Sequence, residues 1–152
     1  GNAALAQNDA AGALAAYDRA ARALPSEAGV HLDRGSALAA AGRQADARTA
    51  LLAATEPPAS AEVRAAAYYN MGLLYKDFMT NDPDPKENKK AYAKAKTYFQ
   101  QYLGKGQGSA EKKEEAKDNI DDCEKTIAAL DLAIEQMSQL PPPAPAPAPA
   151  PK

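Results

Sequence analysis

The chain has 152 residues, of which 18 are basic and 20 are acidic, so its formal net charge is −2. This near balance excludes the strongly basic surface with which proteins bind nucleic acid or an anionic membrane. No apolar run approaches the roughly 18 residues of a membrane span, and the single cysteine, Cys123, has no partner for an intramolecular disulfide.

Apolar residues recur at helical spacing along most of the chain, between residues that interrupt helices. Pro25 and the Pro57-Pro58 pair cannot continue a helix, and Gly42 suits the position just after a helix C-terminus. Ser26 is a candidate N-cap for the helix that follows it. These signals predict helices over residues 1–7, 10–24, 27–41, 44–55, 86–104 and 109–139.

Small and bulky residues repeat at a spacing of about 34 residues, which is typical of stacked helix pairs. A third copy opens at Tyr68, with the sequence Tyr-Tyr-Asn-Met-Gly-Leu-Leu-Tyr. Small residues at fixed places, among them Gly35 and Gly72, allow two helices to approach closely, where a larger side chain would overpack the contact at about 1–3 kcal/mol. Bulky residues, among them Leu51 and Phe99, are expected to fill the space between the helices. The matched pairs of the first two copies are Gly1 and Gly35, Asn2 and Ser36, Ala13 and Ala47, Tyr17 and Leu51, and Ala20 and Ala54.

The third copy is longer than the others. An insertion over residues 77–89, which includes the first turn of the next helix, separates its two helices. Glycines at positions 104, 106 and 108 end the second of these helices. They are not a nucleotide-binding loop, since no strand precedes them and their spacing is wrong.

The predicted last helix, 109–139, carries apolar residues in alternating steps of four and three. We expect its first half to cap the third copy and the remainder to overhang the stack by roughly 15–20 Å. Whether that remainder folds onto this chain or docks on another is left open. Its candidate contact residues are Leu130, Ile134, Met137 and Leu140. The Pro-Ala segment over 141–152 predicts extended polyproline II.

Several side chains could be taken for parts of a catalytic site, but we predict that they have structural roles. His31 lies on one helix with Asp33 and Ser36, and such neighbours do not converge on a reacting atom. Cys123 lies between two acidic residues on the apolar seam, which predicts an unreactive, buried thiol. We therefore predict no catalytic residue, no metal site and no cofactor.

Two groups of charged residues are likewise predicted to be solvated. The acidic insertion lacks the order of ligands and the glycine of a calcium loop. The lysines of the helix over 86–104 are expected to be balanced by carboxylates at the start of the next helix. The acidic residues are Asp77, Asp82, Asp84 and Glu87; the lysines are Lys86, Lys89, Lys90, Lys94 and Lys96; the balancing residues are Glu111, Glu114, Glu115 and Asp118.

The spacing, the small residues and the Tyr68 motif resemble the tetratricopeptide (TPR) repeat family over residues 1–104. The resemblance implies an all-α fold: a right-handed TPR-type helical-hairpin solenoid with a long C-terminal capping helix and a disordered Pro-Ala tail. The implied domains are a TPR array over 1–108 (a partial repeat, a full repeat and the repeat with the insertion), an extension helix over 109–140 and the tail over 141–152. Because Gly1 matches the eighth position of the family pattern, we expect the chain to be part of a longer protein.

In proteins of this family the inner helices line a groove that receives a partner segment. Asn2 matches an asparagine that holds a peptide backbone or terminal carboxylate in chaperone-binding members, but Asp33, Ala66 and Asn70 replace the rest of that clamp. We therefore expect an apolar partner segment, with Leu32→Asp abolishing its capture without unfolding the repeat. The implied groove residues are Asn2, Leu5, Ala6, Leu32, Ser36, Ala39, Tyr69, Leu73 and Lys76.

The resemblance implies a non-catalytic scaffold or adaptor within a multiprotein assembly. Alanine-rich repeats with a Pro-Ala spacer resemble bacterial envelope proteins, including lipid-anchored TPR proteins of the periplasm and outer membrane that assemble pilus, secretion or gliding machinery. A cytoplasmic location is the alternative. Two further functions stay open: an accessory interaction domain of an enzyme upstream of Gly1, and a tail that is itself the ligand of a polyproline-binding groove.

Overall fold

The computed structural model describes residues 10–139, and within that range the protein is all-helical, with no β-strand. The predictions for residues 1–9 and 140–152, including Asn2, Leu5, Ala6, Leu140 and the Pro-Ala tail, lie outside the described residues. The described helices are α1, Ala10–Ala23; α2, Ala28–Ala40; α3, Gln44–Ala53; α4, Ala61–Leu73; α5, Pro85–Gly104; and α6, Ala110–Gln139.

The predicted helix bounds are confirmed to within about two residues for every described helix except α4, because local signals end these helices. Gly42 follows the C-cap of α2 with φ of 75°, a conformation that glycine adopts without steric cost. The prediction of Ser26 as an N-cap is wrong. The backbone N–H of Glu27 donates to the carbonyl of Leu24 at 3.1 Å, so Pro25 and Ser26 are the central residues of a turn and α2 begins after Glu27.

Helix α4 begins at Ala61, well before the motif at Tyr68. Ser60 is its N-cap, and the Ser60 hydroxyl accepts a hydrogen bond from the backbone N–H of Val63 at 3.2 Å. At its other end α4 continues directly into a π-helical turn, Leu74–Phe78. This turn extends the helix past the predicted start of the insertion and brings Phe78 onto the helical surface.

Consecutive helices pack on one another, and α2 and α3 also contact α4. Short loops between such helices produce antiparallel pairs. A Cβ atom at Gly35 would lie 2.7 Å from Leu51 Cγ, and one at Gly72 would lie 2.6 Å from Phe99 Cε1. The prediction that these glycines allow close helix contacts against bulky residues is therefore confirmed at both described positions.

The largest cluster of the core joins α4, α5 and α6 around aromatic rings. Tyr69 meets Phe99 edge to face at 5.6 Å between ring centroids, and Tyr102 at 5.2 Å. Ala116 and Cys123 of α6 are fully buried against this cluster, which confirms packing of the first half of the apolar seam. Leu38, Leu51, Met71 and Leu74 belong to a second buried cluster, formed by α2, α3 and the end of α4.

Helix α6 runs back along the whole of α5. Lys96 pairs with Glu124 at 2.7 Å, and Lys89, nearer the start of α5, pairs with Asp131, farther along α6. The predicted overhang of α6 is therefore wrong, because α5 has 20 residues and covers the second half of α6. The predicted charge balance is also wrong in its partners, because antiparallel packing brings Lys96 to the middle of α6 and Lys89 to its second half, whereas Lys90 pairs with Glu87 of α5 itself.

Along the described chain we find no helix that combines the length and apolar character required to cross a bilayer.

Candidate partner-binding groove

A series of three adjoining cavities runs along one face of α4. The first has a volume of about 430 Å³ and shares Asn70 and Leu73 with the second, of about 140 Å³. The second shares Phe78 with the third, of about 390 Å³. We call these cavities together the α4 groove. Its lining residues on α4 and the π-helical turn recur in steps of three and four, as one face of a helix requires: Glu62, Ala65, Ala66, Tyr69, Asn70, Leu73, Leu74 and Phe78.

The walls of the α4 groove come from α2, α3, α5, α6 and the loops before α5 and α6; Leu51 of α3 and Tyr102 of α5 are among the lining residues. Helix α2 contributes Ser36 and Ala39, and the first turn of α6 contributes Lys112. The loop before α6 adds Gln107 and Gly108, so that a stretch of backbone forms part of one wall. Beyond Phe78 the third cavity is lined by Gln44, Met79, Asn81, Asp82 and Pro83.

A network around Tyr69 holds the α6 wall in place. The Tyr69 hydroxyl donates to Glu115 at 2.8 Å, and Lys112 donates to the same carboxylate oxygen at 2.7 Å. Lys112 Nζ also lies 4.8 Å from the centre of the Tyr69 ring, in cation–π geometry. Burial, followed by the hydrogen bond to Glu115, raises the pKa of the Tyr69 hydroxyl. The hydrogen bond from Lys112 lowers the pKa of Glu115, so the carboxylate stays charged and paired.

A second set of hydrogen bonds joins α4 to α2 across the groove. The Asn70 side-chain amide donates to Ser36 Oγ at 3.0 Å, and that hydroxyl donates to the carbonyl of Leu32 at 3.0 Å. Because Asn70 lines both of the first two cavities, this bond spaces the two helices where the cavities meet.

Some of the predicted groove residues line the α4 groove, and others contact neighbouring helices instead. Leu32 packs on the second buried cluster, and Lys76 donates to Asn119 at 2.6 Å and pairs with Asp122 at 3.3 Å on α6. Neither lines the three cavities. The predicted groove residues that do line them are Ser36, Ala39, Tyr69 and Leu73.

Sequence reasoning missed other lining residues. The sequence predicts Phe78 within the insertion, because a π-helical turn has no clear sequence signal. Glu62 precedes the Tyr68 motif at which the helix was expected to open, although Ser60 was a usable N-cap signal. Lys112 was missed because its position depends on how α6 packs on α4.

The second half of α6 packs on its own chain, whereas the sequence predicts that it overhangs the stack. Leu130 and Ile134 are half-buried, whereas Met137 is 58% exposed. Ile134 and Met137 line a cavity of about 250 Å³ together with the first turn of α5, at Pro85 and Lys86.

The side chains of the other candidate sites lie outside the α4 groove and contact different parts of the chain. His31 Nε2 lies 2.8 Å from the carbonyl of Pro25, and Arg34 donates to Asp18 at 2.6 Å, so these side chains do not converge on Ser36. Within residues 10–139 no three acidic, histidine or cysteine side chains are grouped so as to hold a metal ion. Cys123 is fully buried, and burial is the main cause that raises the pKa of its thiol.

No protein-family model, curated protein or solved structure matches this chain. The function is therefore inferred from the repeat pattern and from the geometry of the α4 groove.

Proposed function

We propose that this chain is a non-catalytic scaffold of the TPR type, a right-handed array of helical hairpins that binds an apolar segment of a partner protein in the α4 groove. The single observation that carries the proposal is the continuity of the three cavities along α4, which share Asn70, Leu73 and Phe78. The TPR assignment is supported by the spacing of about 34 residues and by the equivalent glycine contacts at Gly35 and Gly72.

The shape of the groove favours a helical partner segment. From Glu62 to Leu73, α4 rises by about 17 Å at 1.5 Å per residue, the π-helical turn continues to Phe78, and the lining residues of both form a single stripe. An amphipathic helix laid along such a stripe contacts it with residues three and four apart. The small side chains of Ser36, Ala39 and Ala66 leave room for the backbone of that helix to approach.

A matched pair of alanine substitutions tests the proposal. Binders of the full 152-residue chain would be selected from a displayed library of helical peptides, and their affinities measured by fluorescence anisotropy. Ala66 is half-buried and lines the largest cavity, so Ala66→Glu should weaken binding about tenfold or more by burying an unpaired charge. Ala93→Glu introduces the same side chain at an exposed position of α5 that lines none of the three cavities, and it should leave affinity unchanged.

The circular dichroism of both variants should match that of the parent chain. Equal loss of binding in both variants, or full binding by Ala66→Glu, would contradict the proposal, as would a library without binders. Leu32→Asp is a poor test because Leu32 packs on the core.

We also propose, from the resemblance alone, that the scaffold works in the bacterial envelope. There the α6 helix would cap the array and the Pro-Ala segment would act as a tether. Fractionation of the native source tests the location, and recovery of the protein with the cytoplasmic fraction would contradict it.

A further inference from the structure

The basic side chain that lines the α4 groove, and two others close to it, are paired with carboxylates. Lys112, the one lining cation among the described residues, is paired with Glu115 at 2.7 Å. Lys76 is paired with Asp122 at 3.3 Å. At the other end of the groove Arg43, next to Gln44 of the third cavity, is paired with Asp46 at 2.6 Å.

Two lining carboxylates are not neutralised in this way. Glu62 lies at one end of the groove and Asp82 at the other, both are exposed, and neither forms an ion pair with another described residue. Asp82 is held in place because its carboxylate accepts from the backbone N–H of Asp84 at 2.8 Å and its carbonyl accepts from Asn88 at 2.8 Å.

Between these two carboxylates the α4 face of the groove is uncharged. Its lining there consists of alanine, aromatic, leucine and amide side chains. The groove therefore has a largely apolar middle that is uncharged along α4, and one lining carboxylate without an ion pair among the described residues near each end. A complementary ligand has an apolar middle and a positive charge at each end.

We propose that the α4 groove selects an apolar helical segment flanked by lysine or arginine on both sides. This inference rests on the proposed function and specifies the chemistry of the partner. Each exposed ion pair contributes little. We therefore expect the positive charge at each end of the partner segment to raise its affinity about threefold, and the two ends together to raise it about tenfold. Because the pairs are exposed, salt should remove this preference.

Two synthetic peptides test the inference on the full chain. Both carry a fluorescein label and the same helical leucine-alanine core, and they differ only in Lys-Lys or Glu-Glu pairs at the two ends. At about 50 mM NaCl the lysine-flanked peptide should bind about tenfold more tightly by fluorescence anisotropy, and at about 500 mM NaCl the difference should fall to about twofold or less.

Charge-reversal variants separate a local effect from the net charge of the protein. The double variant Glu62→Lys/Asp82→Lys should reverse the preference and favour the glutamate-flanked peptide. Asp121→Lys/Glu135→Lys makes the same change in net charge at two exposed positions of α6 that line none of the three cavities, and it should leave the preference close to that of the parent chain.

The possible failures are distinguishable. If the two peptides bind equally, or if Asp121→Lys/Glu135→Lys changes the preference as much as Glu62→Lys/Asp82→Lys does, the charge inference is overturned while the groove remains a binding site. If neither peptide binds at either salt concentration, the proposed function itself is contradicted.

Discussion

The contact between Gly72 and Phe99 allows a quantitative test of how closely α4 and α5 approach. A Cβ atom at Gly72 would lie 2.6, 2.7 and 2.8 Å from three atoms of the Phe99 ring. That ring is fully buried and packs edge to face with Tyr69 at 5.6 Å, so it has little room to move. Gly72→Ala should therefore overpack the core.

Two opposing terms set the expected size of this effect. Overpacking costs about 1–3 kcal/mol. Replacing glycine by alanine within a helix contributes about 1 kcal/mol in the favourable direction. The net change is a loss of about 0–2 kcal/mol. Gly104 is the matched control, since it is the last residue of α5 and a Cβ there meets no atom within 4 Å. Gly104→Ala gains the same helix term without the overlap, so it should be stabilising by about 1 kcal/mol.

Urea unfolding followed by circular dichroism would measure both variants. We expect Gly72→Ala to be less stable than Gly104→Ala by about 1–3 kcal/mol, since the favourable helix term is shared and the overlap is not. Phe99→Leu removes ring atoms from the contact. The double variant Gly72→Ala/Phe99→Leu should therefore lose less stability than the sum of the losses in the two single variants. Equal stability of the two alanine variants would refute the reasoning from the close contact.

Three further predictions concern stability. Ser60→Ala should lower the free energy of unfolding by about 1 kcal/mol because it removes the N-cap bond of α4, whereas Ser26→Ala should have almost no effect; equal losses in urea unfolding would contradict this. The hydrogen bond from Arg34 lowers the pKa of Asp18, so Asp18→Asn should cost about 0.5–1 kcal/mol at neutral pH. This cost should disappear as the pH falls below about 4, where the unfolded chain takes up the proton first, and a pH-independent cost in unfolding experiments would be inconsistent with the ion pair. Burial raises the pKa of the Cys123 thiol, so the folded protein favours the protonated thiol. This contribution to the free energy of unfolding should be lost as the pH rises above about 8.5, where the unfolded chain releases the proton first. Cys123→Ala should reduce this alkaline loss, and the native thiol should react slowly with a thiol reagent until the protein unfolds; rapid labelling of the native protein would contradict its burial.

Part of the candidate site could be predicted before the structure. The family resemblance alone predicts Ser36, Ala39, Tyr69 and Leu73 on a groove, and all four line the α4 groove. The same reasoning included Lys76, whose ammonium group is held by α6. Spacing identifies the face of a helix on which a residue lies, but it does not show whether another helix covers that face.

The sequence by itself determined the all-helical class, most helix ends and the close contacts at Gly35 and Gly72. These features depend on local chemistry: a proline lacks an N–H, a glycine adopts positive φ, and a missing side chain leaves room for a neighbour. Only the tertiary structure decided that α6 lies along the full length of α5 and that the π-helical turn brings Phe78 to the groove. Both depend on contacts between residues far apart in the chain, and a periodic pattern on one helix carries no information on the register of its partner.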